Sequence, residues 1–239
     1  LNQAGFSVKG SLPDPAYFAA YEVEKVLIKS GVKFREKPST IRLLKINGNR
    51  IGGAPTEIAT TYSPPLSEII TQTNIHSINL FAEHLLDLSG LRLTGRAQTE
   101  LDAKAVMNFW KEKGMDIQGM ALTDGSGLSQ YNAVTPRQMV FLLNYMQKNS
   151  PYFDIYYHSL PLAGQDGTVE GMFKGSAAEG NLRAKSGTID RVKAYTGYVV
   201  SRSGRKIIFS MIVNNFSGKS RAARTKLEKL MVALAELKK

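Results

Sequence analysis

Two short stretches of this 239-residue chain carry side chains suited to chemistry on a peptide. Lys185-Ser186-Gly187-Thr188 sets a positive charge and two hydroxyls around a glycine, inside a segment that reads as a strand. A missing side chain there lets a ligand backbone approach a sheet edge, the geometry of peptide binding by strand addition. The charge and the hydroxyls suit a carboxylate. Ser77-Ile78-Asn79 stands directly before a helical pattern, Leu80 to Leu86, where a serine or an asparagine either caps the helix or serves a reaction. Taken singly, the first motif reads as an ordinary strand end and the second as an ordinary helix cap.

The elements that must position these residues follow from periodicity. Asp14 is expected to cap a helix with Pro15 in its first turn, whose face of Phe18, Tyr21, Val23, Val26 and Leu27 ends at Gly31. Residues 40 to 46 read as a strand ending in the turn signal Asn47-Gly48. A loop with Gly52, Gly53 and Pro55 leads to an extended segment, Ile58 to Tyr62, closed by Pro64-Pro65. Helices are expected at about 66 to 73, 77 to 88, 97 to 113 and 136 to 148. The irregular Asp124-Gly125-Ser126-Gly127-Leu128-Ser129 lacks the Gly-x-Ser-x-Gly spacing of a nucleophile elbow. After a Gly-rich region, 164 to 180, come strands at about 182 to 189, 194 to 201 and 205 to 213, the last pair joined at Ser203-Gly204. A closing helix with Leu227, Leu230, Met231, Leu234 and Leu237 at helical spacing docks on the core. The pattern predicts an α+β, mixed-layer domain: an antiparallel sheet flanked by helices, with a helical middle segment.

Composition narrows the classes. A hydrophobic content of 43% supports a sizeable core, and the longest apolar runs fall well short of the ~18 residues that span a bilayer. Without cysteine there is no disulfide, thiolate ligand or thiol nucleophile. The net charge of +11 fits an anionic partner or a solubilising surface, and no zinc-finger spacing or aromatic RNA-binding motif accompanies it. His76, His84 and His158 match no metal spacing. Tyr131 and Asn132 are open between lining a groove and packing their loop.

The order of the motifs is more specific than either motif. A Ser-x-Asn opening a helix, followed by Lys-[Ser/Thr]-Gly-Thr on the first strand of a strand–strand–strand–helix ending, belongs with Ser-x-x-Lys to the penicillin-binding set. The blocks Ser63-Pro64-Pro65-Leu66-Ser67-Glu68-Ile69-Ile70, Asn74, Leu80-Phe81-Ala82-Glu83, Asp124 to Ser129 with Asn132, and Leu160 to Gly164 with Asp166-Gly167 resemble the D-alanyl-D-alanine carboxypeptidases of the peptidase S13 type, the low-molecular-mass class C penicillin-binding proteins. The likeness runs from Gly10-Ser11-Leu12-Pro13-Asp14-Pro15 to the final helix. Ser186 stands where the family usually has threonine, and Ile78 replaces a commonly polar residue.

The resemblance implies a β-lactamase/transpeptidase-like fold and a serine-type carboxypeptidase or endopeptidase that cuts peptidoglycan stem peptides through an acyl-enzyme. It implies β-lactam antibiotics as inhibitors, no cofactor or metal, no nucleic acid, and a periplasmic or other extracytoplasmic place in the cell envelope. Residues 1–57 would be the end of an inserted domain and its return, and residues 58–239 the C-terminal portion of the penicillin-binding domain. Ser77, Asn79 and Lys185 would be catalytic: Ser77 relaying a proton, Asn79 holding the substrate amide, Lys185 supporting the relay. Ser186, Gly187 and Thr188 would bind substrate, Thr188 with its backbone N–H in the oxyanion hole. The two Ser-x-x-Lys matches, at Ser30 and Ser203, stand at a helix end and a hairpin turn rather than a helix start. In the resembled family the Ser-x-x-Lys segment precedes a large insertion that precedes Ser-x-Asn, so the resemblance implies a nucleophile upstream of Leu1 and an inactive fragment here. The alternatives are a non-catalytic peptidoglycan-binding module and a basic nucleic-acid-binding protein.

Overall fold

The computed structural model describes residues 12–49, 57 and 60–238. The chain divides into two units, Leu1–Tyr62 and Ser63–Lys239. In the first, α1 (Pro15–Lys29) starts as expected: the Asp14 carboxylate accepts the Tyr17 N–H at 3.0 Å and is paired with Arg42, which holds its carboxyl below the ordinary range. Gly31 follows in the left-handed region, φ +85°. The face of α1 predicted to be apolar stays open to solvent, with Phe18 47% and Val26 61% exposed.

The strand expected at 40 to 46 is instead a short helix, α2 (Ile41–Ile46). Thr40 accepts the Leu43 N–H at 3.2 Å, and Asn47-Gly48 ends the helix rather than turning a hairpin. Gly48, at φ +71°, donates to Lys45 O and Asn49 donates to Leu44 O, the paired bonds of a left-handed helix stop. β-Branched content pointed to a strand, but the two local caps decide the segment. The predicted loop at Gly52, Gly53 and Pro55, and most of the predicted extended segment, lie outside the described residues; Thr60 to Pro65 form no regular element.

The second unit runs α3 (Leu66–His76), α4 (Asn79–Thr94), α5 (Thr99–Glu112), α6 (Pro136–Asn149), α7 (Phe153–Ser159), β1 (Arg183–Ile189), β2 (Val192–Val200), β3 (Lys206–Asn214) and α8 (Ser220–Glu236). The strands form an antiparallel sheet in chain order. β1 and β2 meet through the two residues Asp190-Arg191, with Arg191 at φ +54°. Ser203-Gly204 lies in the next turn, as expected, where Ser201 donates to Arg205 O.

Strand alternation sends β2 side chains into two cores. Tyr195, Val199 and the β3 residue Phe209 pack under Leu227, Met231 and Ala235, the i, i+4, i+8 stripe of α8. Leu230 and Leu237, expected on that stripe, instead face outward at 55% and 44% exposure. On the opposite face, Tyr198 packs with Leu143 of α6 and Phe153 and Tyr157 of α7, and its hydroxyl donates to Leu143 O at 2.8 Å. Each such full burial is worth about 1.5–3 kcal/mol. The sheet is thus held rigidly between helices, and the free edge of β1 is left for the site.

Candidate active site

α3 ends where the first motif begins. Ser77 takes a left-handed conformation, φ +52° and ψ +51°, and its N–H returns to Thr73 O. α4 starts two residues later at Asn79, without a side-chain cap. The expected helix start at 77 therefore moves to 79; Ser77 ends α3 through its backbone, and neither its side chain nor that of Asn79 caps the start of α4. The Ser77 hydroxyl instead accepts a hydrogen bond from Lys185 Nζ at 2.8 Å, across 108 residues of chain.

Lys185 lies on β1 and donates also to Ser186 O at 2.9 Å. Burial, and then the charge of Lys193, push its ammonium below the ordinary lysine range. Ser186 Oγ donates to Thr168 Oγ1 at 2.8 Å, in the 3₁₀ turn Gly167–Val169. Thr188 Oγ1 accepts from Lys193 Nζ. At Gly187 an added Cβ would meet only the Ala194 side chain, at 3.6 Å. Packing does not demand glycine there; the open space belongs to whatever approaches the strand.

The edge of β1 is partly used and partly free. Ala184 N–H bonds Pro161 O at 3.0 Å, away from β2. Because alternate residues of a strand point their N–H groups the same way, those of Ser186 and Thr188 are directed to the same side, into the cleft.

All six predicted site residues line one cleft of ≈ 540 Å³: Ser77 and Asn79 on one wall, Lys185 to Thr188 on the other. The sequence reading missed the third wall, Gly125 to Leu128, and the α3 residues Thr73 and Asn74. That loop is fixed from both sides. Glu83 of α4 accepts the N–H groups of Gly125 (2.9 Å) and Ser126 (3.1 Å), and Asp124 accepts those of Gly127 (2.7 Å) and Ser129 (2.6 Å). Gly125 sits so close to α4 that a Cβ would lie 2.3 Å from Ala82 O. Asn74 is held by Ser159 of α7, its Nδ2 donating at 2.8 Å. Asx-turn residues signalled the loop, but nothing local signalled that Glu83 would dock it.

Other candidates separate from the site. Asn132 packs its loop, donating to Asp124 at 2.8 Å and accepting from Thr123 N at 2.8 Å, and Tyr131 is 83% exposed. His84 Nδ1 lies 2.8 Å from Leu80 O, and His158 lies 3.3 Å from Asp154; His76 is exposed beside Ser77. Ser30 caps the C-terminal end of α1 and Ser203 sits in a turn, so neither Ser-x-x-Lys match begins a helix.

A family model described as the D-Ala-D-Ala carboxypeptidase 3 (S13) family matches residues 2–237. The chain is 31% identical over 236 residues to a D-alanyl-D-alanine carboxypeptidase of Actinomadura sp. (strain R39), covering 89% of this chain and 41% of that protein. It is 26% identical over 232 residues to the D-alanyl-D-alanine carboxypeptidase DacB of Haemophilus influenzae, covering 92% and 45%. The chain thus spans less than half the length of these two relatives. Among solved structures, penicillin-binding protein 4 of Haemophilus influenzae complexed with a β-lactam aligns with a TM-score of 0.83 at 25% identity, over 97% of this chain and 54% of that one. An extended-spectrum β-lactamase, 18% identical, shares the fold with a TM-score of 0.53 over 71% of this chain and 63% of that one.

Proposed function

The chain belongs to the D-Ala-D-Ala carboxypeptidase 3 (S13) family, and from that premise we propose that it supplies most of the catalytic cleft of a penicillin-binding serine peptidase acting on peptidoglycan stem peptides. The observation that carries this reading is the Lys185–Ser77 hydrogen bond, which joins two motifs far apart in sequence beside an open strand edge.

In the proposed reaction a serine attacks the carbonyl of the penultimate D-Ala. The serine O–H proton passes to the base beside it as the O–C bond forms and the carbonyl becomes a tetrahedral oxyanion; collapse then breaks the C–N bond, and the leaving nitrogen takes a proton relayed through Ser77. Water then cleaves the ester and frees the serine. Lys185, close to Ser77 Oγ, stabilises the relay while its oxygen carries negative charge. Asn79, on the first turn of α4, holds the substrate amide. The substrate strand runs along β1 past Gly187, and the Thr188 N–H forms half of an oxyanion hole, such donors being worth about 3–4 kcal/mol each in acyl transfer. The acylating serine, from a Ser-x-x-Lys helix start, is proposed to lie outside residues 1–239. Peptidoglycan as substrate places the enzyme outside the cytoplasm, in the periplasm or envelope, and β-lactams acylate it as mimics of the peptide. Among the described residues no helix is long and apolar enough to cross a membrane.

The test is labelling by fluorescent penicillin. The full chain that its coding sequence specifies is expected to acylate, the 239-residue chain by itself not. Ser77→Ala and Lys185→Ala in the full chain are expected to slow acylation about 10²- to 10⁴-fold, the usual range for a lost proton-transfer group. Full-chain acylation at an unchanged rate in both variants would sink the relay, and an intact-mass adduct on the 239-residue chain would sink the external nucleophile.

A further inference from the structure

Lys193 was singled out by neither motif, yet it stands directly across from Thr188 in the β1–β2 register. Its ammonium donates to Thr188 Oγ1. A threonine hydroxyl has one proton to give and two lone pairs to offer. With a lone pair occupied by Lys193, the Thr188 proton is free to point elsewhere, and the cleft that Thr188 lines is the open direction. The strand's alternation brings the Thr188 N–H to the same edge. Three donors, one of them cationic, thus meet at Thr188, on the wall of the cleft.

Among the described residues, no ion pair answers them. The ion pairs found among the described residues involve Lys25, Arg42, His158 and Lys174, and none involves Lys185, Lys193 or Arg224. Glu228 of α8 is occupied by the Phe173 N–H at 2.5 Å. Lys193 is half-buried and held over the Tyr195 ring at 5.6 Å, so it is no freely solvated surface lysine. Burial and the neighbouring Arg224 charge lower its proton affinity, and its own charge is felt at Lys185. An unbalanced, partly desolvated pair of cations flanking an open strand edge is a seat for a carboxylate.

We propose that Lys193, through and beside Thr188, binds the carboxylate borne on the carbon next to the substrate's leaving nitrogen. A peptide ending in D-Ala-D-Ala carries its terminal carboxylate there, and a penicillin carries its carboxylate on the carbon next to the lactam nitrogen. This assignment rests on the acyl-enzyme reading given above. It makes Lys193 a specificity residue: it selects substrates whose leaving amine is an amino acid with a free acid group.

The experiment compares benzylpenicillin with its methyl ester on the full chain, following acylation by intact mass and second-order rate. Wild type is expected to favour the acid by about 10-fold or more, the worth of a hydrogen bond to a charged group. Lys193→Met is expected to slow the acid about 10- to 100-fold, the ester far less, and Lys193→Arg to restore most of the preference. An acid-over-ester preference that survives in Lys193→Met overturns the assignment, as does an equal loss for both compounds, which would mark a purely structural lysine. A wild-type chain acylated by neither compound removes the acyl-enzyme reading itself, and this assignment with it.

Discussion

Ser77 sits in backbone geometry that costs an L-residue about 1–2 kcal/mol and that glycine adopts freely. A serine kept there solely to end α3 would be replaced by glycine at a gain. Ser77→Gly relieves the strain and loses the bond from Lys185; Ser77→Ala loses the bond and keeps the strain. Thermal melts are therefore expected to place Ser77→Gly above Ser77→Ala by about 1 kcal/mol, with both equally slow in acylation. Equal melting of the two variants would show that the left-handed turn is unstrained. That Ser77, Asn79 and Lys185 to Thr188 share one cleft was legible from residue type and motif order. Lys193 was not, because its partnership with Thr188 exists only once the strands pair in register.

At the scale of elements, the wall formed by Gly125 to Leu128 depends on α4. Glu83 satisfies two loop N–H groups, and the loop backbone passes so close to Ala82 O that only glycine fits at 125. Gly125→Ala is expected to cost about 1–3 kcal/mol, as overpacking of a tight contact does, and to slow acylation by displacing the wall. Urea unfolding monitored with the acylation rate checks both; a variant with wild-type midpoint and rate would show that the loop is free to shift. The three strands and most helices were legible from periodicity. α7 was not: it is short, and its Phe153, Tyr156 and Tyr157 gain their meaning from packing on Tyr198. The β1–β2 turn hid for a related reason, since Arg191 takes a positive φ that glycine or asparagine would have announced. α2 was misread because caps, rather than pattern, decide so short a segment.

Across the Ser63–Lys239 unit, the sheet is covered on both faces while the helical side is less complete. Leu66, Leu88 and Leu93 are 57%, 54% and 45% exposed, and with Leu85, Val106, Phe109 and Trp110 they line a depression of ≈ 460 Å³ between α4 and α5. Apolar surface gathered in one concavity takes up hydrophobic dyes. The 239-residue chain is expected to brighten anilinonaphthalene sulfonate in its folded state, and Leu88→Lys to weaken that signal while shifting stability by no more than about 0.5 kcal/mol. A folded chain that leaves the dye dark would mean that this surface is already covered.

The Lys185–Ser77 bond also bears on time. It closes a stretch of 108 residues, whereas the α4–α5 pair and the β1–β2–β3 meander are built from neighbours in sequence. Loop closure over such a span loses chain entropy before any contact rewards it, so the local hairpins form first and the two motifs meet late. During refolding, helix and strand content would return before the cleft exists, and the chain would pass through a stage in which it has nearly all of its architecture while Ser77 and Lys185 are still apart.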